Sequence, residues 1–301
     1  MTLRDSGLEL GYRAGWAAVR RMPEKQAYAA FDRIADVAWR RNGKSVQRLR
    51  VNLARVVAAG DGDVALDDVT RAGMRSYLRY WCEAFRLPEW SRAEVVDRFD
   101  CAHEDRLVAS LAAERGVILA LPHMANWDHG GAWACIKHRP LMTVAERLKP
   151  EGLYDQFLAY RESLGMTVLP LTGGGSDTFR ALIGHLRVGG LVCLVADRDL
   201  TDRGIEVDFF GGRTKMPIGP ALLAAQTGAA LHPVTLRFDG RYQRAVIGEQ
   251  VIPDLGAERQ VMLSKATQEI ANAFARGIAQ SPQDWHMMAR FWLDTAPGTE
   301  R

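Results

Sequence analysis

Cysteine is scarce in this chain, and its placement is uninformative for metal or redox work. Cys82, Cys101, Cys135 and Cys193 are the four in 301 residues. None forms a Cys-x-x-Cys pair or falls at metal-ligand spacing from a histidine, so zinc and dithiol chemistry find no scaffold, and reduced, mostly buried thiols of a cytosolic protein are expected. Nucleotide signatures are missing as well: the run Gly173-Gly174-Gly175-Ser176 is neither a Walker loop nor G-x-G-x-x-G. No G-x-S-x-G elbow supplies a serine nucleophile, which removes the usual serine-hydrolase design. The opening residues Met-Thr-Leu-Arg-Asp-Ser-Gly-Leu-Glu-Leu are too charged for a signal peptide. The uncharged stretch Met216–Leu236 holds Pro217, Pro220 and Pro233, so a helix and a following strand suit it better than a membrane span, and any membrane contact is expected to be peripheral.

What the chain does have is an uneven charge distribution. Residues 1–60 carry 12 Lys/Arg against 5 Asp/Glu, while the remainder carries 27 against 31. The basic end is where an anionic surface would be met. Nothing in the pattern suggests nucleic acid.

The first hundred residues read as helices. Leu8, Tyr12, Trp16 and Val19 share a face, Tyr28 to Ala38 form a second stripe, Val46 to Val56 a third, and Met74, Tyr77, Leu78 and Trp81 a fourth. From about residue 105 the rhythm becomes strand and helix in alternation. Strands are expected at 117–121, 141–145, 167–171, 191–196, 231–238 and 244–252. Helices are expected at 103–115, 128–137, 153–164, 177–187, 219–226 and 257–279. The pattern predicts an α/β fold: a mostly parallel, mixed central sheet covered by helices, with residues 1–104 a helical portion packed on a core of 105–301.

Chemistry collects where the strands end. The apolar run Val117-Ile-Leu-Ala-Leu121 leads into Pro122-His123-Met-Ala-Asn126-Trp127-Asp128. Carboxyl ends of strands are where open α/β sheets place ligands. A histidine there can take a proton near neutral pH, and a carboxylate five residues on can orient its ring. Spacing alone is a weak signal, since a strand-end histidine and a helix-capping aspartate give the same string. Glu146-Arg147 follows the 141–145 strand and Asp197-Arg198-Asp199 the 191–196 strand; if these strands are parallel neighbours, all three groups share one sheet edge. Arg161 is expected either to pair with Glu146 or to be a surface charge. The glycine run at 173–175 reads as a loop capped by Ser176 or Asp177, or as a phosphate cradle. Phe209-Phe210-Gly211-Gly212-Arg213-Thr214-Lys215 reads as a hairpin or bulge, or as a lid over an anionic, partly apolar substrate. A base without a protein nucleophile suits direct transfer of an activated group to a hydroxyl.

The string His123-Met-Ala-Asn126-Trp127-Asp128 resembles the His-x4-Asp signature of the glycerolipid and lipid A acyltransferase superfamily, and within it the bacterial lipid A lauroyl/myristoyl branch. Val144-Ala-Glu146-Arg147-Leu, Arg161-x3-Gly165, Ala196-Asp197-Arg198-Asp199 and Gly212-Arg-Thr-Lys-Met extend the likeness over roughly residues 105–295 toward the actinobacterial phosphatidylinositol mannoside acyltransferases. The resemblance implies transfer of a fatty acyl group, palmitoyl by expectation, from acyl-CoA as co-substrate to the 6-hydroxyl of a mannose in a phosphatidylinositol mannoside. It implies work at the cytoplasmic face of the plasma membrane, on an anionic lipid surface, with no cofactor or metal. On this reading His123 is the base and Asp128 holds its ring. Asn126, Glu146, Arg161, Asp197 and Arg198 support the site or bind substrate, with Arg198 meeting phosphate. The rival expectations are another glycolipid or a lysophospholipid as acceptor, and a non-catalytic lipid-binding protein.

Overall fold

The computed structural model describes residues 15–60, 65–146, 151–171, 175–201 and 203–294. Leu8, Tyr12, Arg147 and Gly173–Gly174 therefore lie outside the described residues, as does the side chain of Ser176. After a helical stretch at 15–21, the N-terminal portion is built from α1 (Glu24–Arg41), α2 (Lys44–Ala58), α3 (Leu66–Arg86) and the short α4 (Arg92–Asp97). Helices α2 and α3 turn their apolar stripes inward: Val46, Leu49, Leu53 and Val56 of α2 are buried, as are Val69, Met74 and Tyr80 of α3, whereas on α1 Ala27 and Ala35 are buried and Ile34 of its expected stripe is exposed. Trp16 belongs to this core. Its indole N–H donates to the Phe85 carbonyl at 2.9 Å and its ring packs on Phe85 and Phe157, so it is committed to packing.

The core sheet comprises β1 (Phe99–Ala102), β2 (Val117–Leu121), β3 (Leu141–Ala145), β4 (Met166–Pro170), β5 (Leu191–Val195), β8 (Ala230–Asp239) and β9 (Tyr242–Ile247). Their order is β1-β9-β8-β2-β5-β3-β4; all neighbours run parallel except β8 and β9. Helices α5 (Glu104–Ala112), α6 (Trp127–Lys137), α7 (Glu151–Ser163), α8 (Gly175–Arg187), α9 (Gly219–Thr227) and α10 (Arg259–Gln280) connect and cover it. The expected mixed α/β architecture and helical N-terminal portion are what the chain adopts. Strand β2 is buried at all five positions, as its unbroken apolar run requires of a central parallel strand.

One element was not expected, and one with two alternative readings takes the hairpin form. Strand β1 precedes the anticipated start of the core at 105, because Phe99–Ala102 is short and its pairing with β9 is set by tertiary contact. Residues 205–216 form a separate hairpin, β6 (Ile205–Phe209) and β7 (Gly212–Met216). Its two-residue turn places Phe210 at φ 45° and Gly211 at φ 70°, the left-handed pair of a tight hairpin. Phe209 is not an exposed lid aromatic: it is buried against Trp285 and Phe291. The hairpin thereby anchors residues 281–294, which return across the sheet as a strap. Thr214 Oγ1 donates to the Phe291 carbonyl at 2.6 Å, and the Leu293 N–H donates to that of Arg213 at 2.9 Å.

Candidate active site

The sheet order places β5 beside β2 and β3 beside β5, so the three strand ends meet as anticipated. Past the last paired residues, the Ala196 N–H still donates to the Leu121 carbonyl at 2.7 Å, which brings Asp197 alongside His123. The contact is close. His123 Nδ1 donates to Asp197 Oδ1 at 2.5 Å, while the His123 backbone N–H and the Trp285 indole N–H donate to Oδ2 at 3.0 and 2.9 Å. Asp197 is fully buried, whereas the His123 side chain is 33% exposed. Burial by itself pushes the Asp197 carboxyl upward, but the His123 ring and these donors outweigh it and hold the group below the usual carboxylate range. With Nδ1 engaged, Nε2 is the nitrogen left to accept a proton.

Asp128 does not orient this ring. Between His123 and Asp128 the chain makes a left-handed turn at Ala125, φ 46°, and α6 begins immediately after it. Asp128 is thereby carried toward the helices: Tyr80 Oη donates to Oδ2 at 3.0 Å and Arg161 Nε to Oδ1 at 2.8 Å. Arg161 thus pairs with Asp128 and not with Glu146. Burial works against the guanidinium, but the carboxylate beside it prevails and raises its proton affinity. Burial, together with Asp128, pushes the Tyr80 hydroxyl well above its usual range, so it remains a neutral donor.

Asn126 is fully buried and caps α6, its Oδ1 accepting from the His129 N–H at 3.0 Å while Nδ2 donates to Glu83 Oε2 at 3.0 Å. Gln243 bonds both its backbone groups. These contacts fix the turn that carries His123. Trp127, next in line, stacks on Tyr80 at 4.2 Å and stands edge-on to His123 at 5.5 Å.

His123, Glu146, Arg161 and Arg198 reach one cleft of about 690 Å³ from four separate elements. Much of its lining is apolar, with Val144, Phe157, Leu158, Phe179, Leu182 and Leu223. Asn126, Asp128 and Asp197 stand behind the wall. Glu146 and Arg198 are exposed at the cleft. Asp199 shapes the adjoining loop by accepting from the Thr201 and Gly204 N–H groups at 2.9 and 2.6 Å. Among the described residues no cluster of His, Cys, Asp and Glu is arranged to hold a metal ion, and the cysteines are unpaired thiols.

Several groups that build the site carry no spacing signal. Trp285 and His286 arrive from the strap, where the His286 N–H donates to the His123 carbonyl at 2.7 Å and the Ala125 N–H to that of Asp284 at 2.9 Å. Ser76 of α3 donates to Asp284 Oδ1 at 2.6 Å and lies 2.9 Å from His286 Nε2. Burial and the nearby His123 hold His286 neutral, down to about 3, while burial pushes the Asp284 carboxyl up to about 6.

A histidine–carboxylate pair thus stands at the end of a parallel strand beside a largely apolar cleft, and the chain is an acyltransferase: it belongs to the bacterial lipid A biosynthesis acyltransferase family, whose model it matches over residues 7–294. Among curated relatives it is similar to the phosphatidylinositol mannoside acyltransferase of Mycolicibacterium smegmatis, 47% identical over 285 residues, 95% of this chain and 91% of the relative. A second phosphatidylinositol mannoside acyltransferase, from Mycobacterium tuberculosis, is 47% identical over 284 residues, 94% and 87% of the two chains.

Proposed function

We propose that the enzyme transfers a fatty acyl group, palmitoyl by preference, from acyl-CoA to the mannose 6-hydroxyl of a phosphatidylinositol mannoside. The single observation that carries this reading is the His123–Asp197 pair at the mouth of the apolar cleft. His123 Nε2 removes the sugar hydroxyl proton as the oxygen attacks the thioester carbonyl. Asp197, in the role first expected of Asp128, holds the ring's tautomer and stabilises the imidazolium. The tetrahedral intermediate collapses, the carbon–sulfur bond breaks, and the imidazolium returns its proton to the departing thiolate. A thioester is already activated, so the chemistry requires no metal.

The cleft volume is ordinary for a ligand-binding site, and its apolar lining suits an acyl chain. Arg198 at the exposed rim suits a phosphate of either substrate. No described helix is long and apolar enough to cross a membrane. Exposed Val37 lies one turn from Arg40 and Arg41 on α1 and exposed Ile34 one turn before it, a mixed face suited to an anionic leaflet, which we assign to the cytoplasmic side of the plasma membrane. The names of the relatives support the mannoside acceptor over another glycolipid or a lysophospholipid, and the His123–Asp197 pair supports catalysis over passive lipid binding.

The test is incubation with labelled palmitoyl-CoA and a panel of membrane lipids. Wild type is expected to acylate the mannoside, and His123→Ala to lose at least ~100-fold in kcat. Transfer that persists in the variant removes His123 as the base; transfer to a lysophospholipid alone removes the mannoside.

A further inference from the structure

We propose that Trp285 is a positioning residue of the catalytic pair, its indole N–H sharing the charge of Asp197 and so setting the pH below which the pair ceases to accept a proton from substrate. The inference rests on the reading of His123 as the base.

The argument begins with the isolation of Asp197. A fully buried carboxylate has no water to disperse its charge, and in such surroundings hydrogen-bonding partners carry more weight than they would at the surface. If His123 Nδ1 were the sole donor, the charge would fall on the ring, favouring the imidazolium, and a ring that already holds its proton is no base. The second oxygen is therefore decisive. Oδ2 takes two N–H groups: the His123 backbone at 3.0 Å and the Trp285 indole at 2.9 Å. The backbone donor comes with the turn itself. The indole is brought by a segment 88 residues further along the chain.

That segment is fastened so that the indole cannot drift. Met124 and Trp285 form a β-bridge, and the Ala125 and His286 N–H bonds flank it. The ring is fully buried, edge-on to Phe291 at 5.1 Å and near Phe209 at 5.9 Å. Other groups around the pair are already committed. His286 of the strap is neutral, Asp128 of α6 and Arg161 of α7 neutralise one another, and Tyr80 of α3 donates to that pair. Tyr77 of α3, Arg48 of α2, Glu146 after β3, and Arg198 and Asp199 after β5 line the shared cleft, while the His123 and Trp285 N–H groups are donors to Oδ2.

Removing the indole donor has two consequences of the same sign. Asp197 becomes easier to protonate, and while ionised it pulls harder on the ring proton. Both make the pair take up its proton at higher pH. The acid limb of kcat/KM should move upward by about one pH unit, the size expected for one charge-assisted hydrogen bond. On the alkaline side most of the wild-type kcat should return, with KM for acyl-CoA little altered.

The experiment replaces Trp285 by 3-benzothienylalanine, which keeps the ring shape and substitutes sulfur for the N–H; Trp285→Phe is the second variant. The pH profile of kcat/KM is recorded for each, and proton uptake by the histidine rings is followed by NMR in protein labelled with 13C-histidine and free of substrate. The upward move should appear in both readouts and in both variants, and the isostere should cost nothing further in an Asp197→Asn background. An acid limb that stays in place while the rate falls equally at every pH overturns the proposal, as does an isostere that costs the same in the Asp197→Asn background as with Asp197 intact. Wild type that fails to transfer palmitoyl to the mannoside would sink the proposed function instead, while the NMR titration would still report on Trp285.

Discussion

Asp128 sits in the signature string yet touches Tyr80 and Arg161, so its replacement should act on stability before chemistry. Asp128→Asn keeps the shape and an acceptor oxygen but strips the charge from a side chain that is 2% exposed, leaving the Arg161 guanidinium, 17% exposed, without a counter-charge. Breaking a buried pair by removing one partner costs about 3–5 kcal/mol. The retained acceptor and the slight exposure of Arg161 put this case near the lower end, about 3 kcal/mol. For a chain of this size that corresponds to a fall in Tm of roughly 5–10 °C. Removing both charges avoids the stranded cation, so Asp128→Asn with Arg161→Met should unfold within about 1 kcal/mol of wild type. Urea unfolding monitored by tryptophan fluorescence measures both, and palmitoyl transfer measures the remaining activity. Asp197→Asn gives the contrast: near-normal stability with a loss of about 10³-fold or more in kcat, as expected when a base loses the group fixing its tautomer. If Asp128→Asn proves as stable as wild type and as inactive as Asp197→Asn, the division of labour argued from the hydrogen bonds is wrong.

The remaining expectations concern charge. The Asp284 carboxyl is raised to about 6 by burial; its folded value exceeds its unfolded one, so its contribution is fully present below about pH 4 and is lost as pH rises through 6. The loss amounts to about 2–3 kcal/mol. Asp284→Asn should therefore gain on wild type by about that amount between pH 4 and pH 7, read as the difference between two urea series; parallel series would refute the assignment. Arg40→Gln with Arg41→Gln should weaken sedimentation with phosphatidylinositol-containing vesicles roughly 30-fold, at about 1 kcal/mol for each charge, and leave binding to neutral vesicles unchanged. Equal binding to anionic vesicles would place the docking face elsewhere.

Much of the fold was legible because periodicity reports burial. Strand β2 announces itself with five apolar residues in a row, and the stripes of α2 and α3 mark their buried faces. The gathering of His123, Glu146 and Asp197 followed from strand order alone. The partner of His123 did not, because sequence proximity favoured Asp128. The left-handed turn at Ala125 separates the two residues, and β-pairing supplies Asp197 from 74 positions away. The segment 209–215 read as a hairpin or as a lid, and composition cannot show that a hairpin will fold the Phe209 ring onto Trp285. Ser76, Gln243 and Trp285 carried no signal at all, since each acts through a contact that only the assembled fold creates.

The strap adds a temporal consequence. His123 and Asp197 have both been synthesised by residue 197, with the sheet around them complete by residue 247. Yet the clamp on His123 and the last donor to Asp197 arrive with residues 284–286. A nascent chain can thus hold every strand of its core and still lack a finished site. The surroundings of His123 and Asp197 are therefore finished by the docking of this late segment and not by the closing of the sheet.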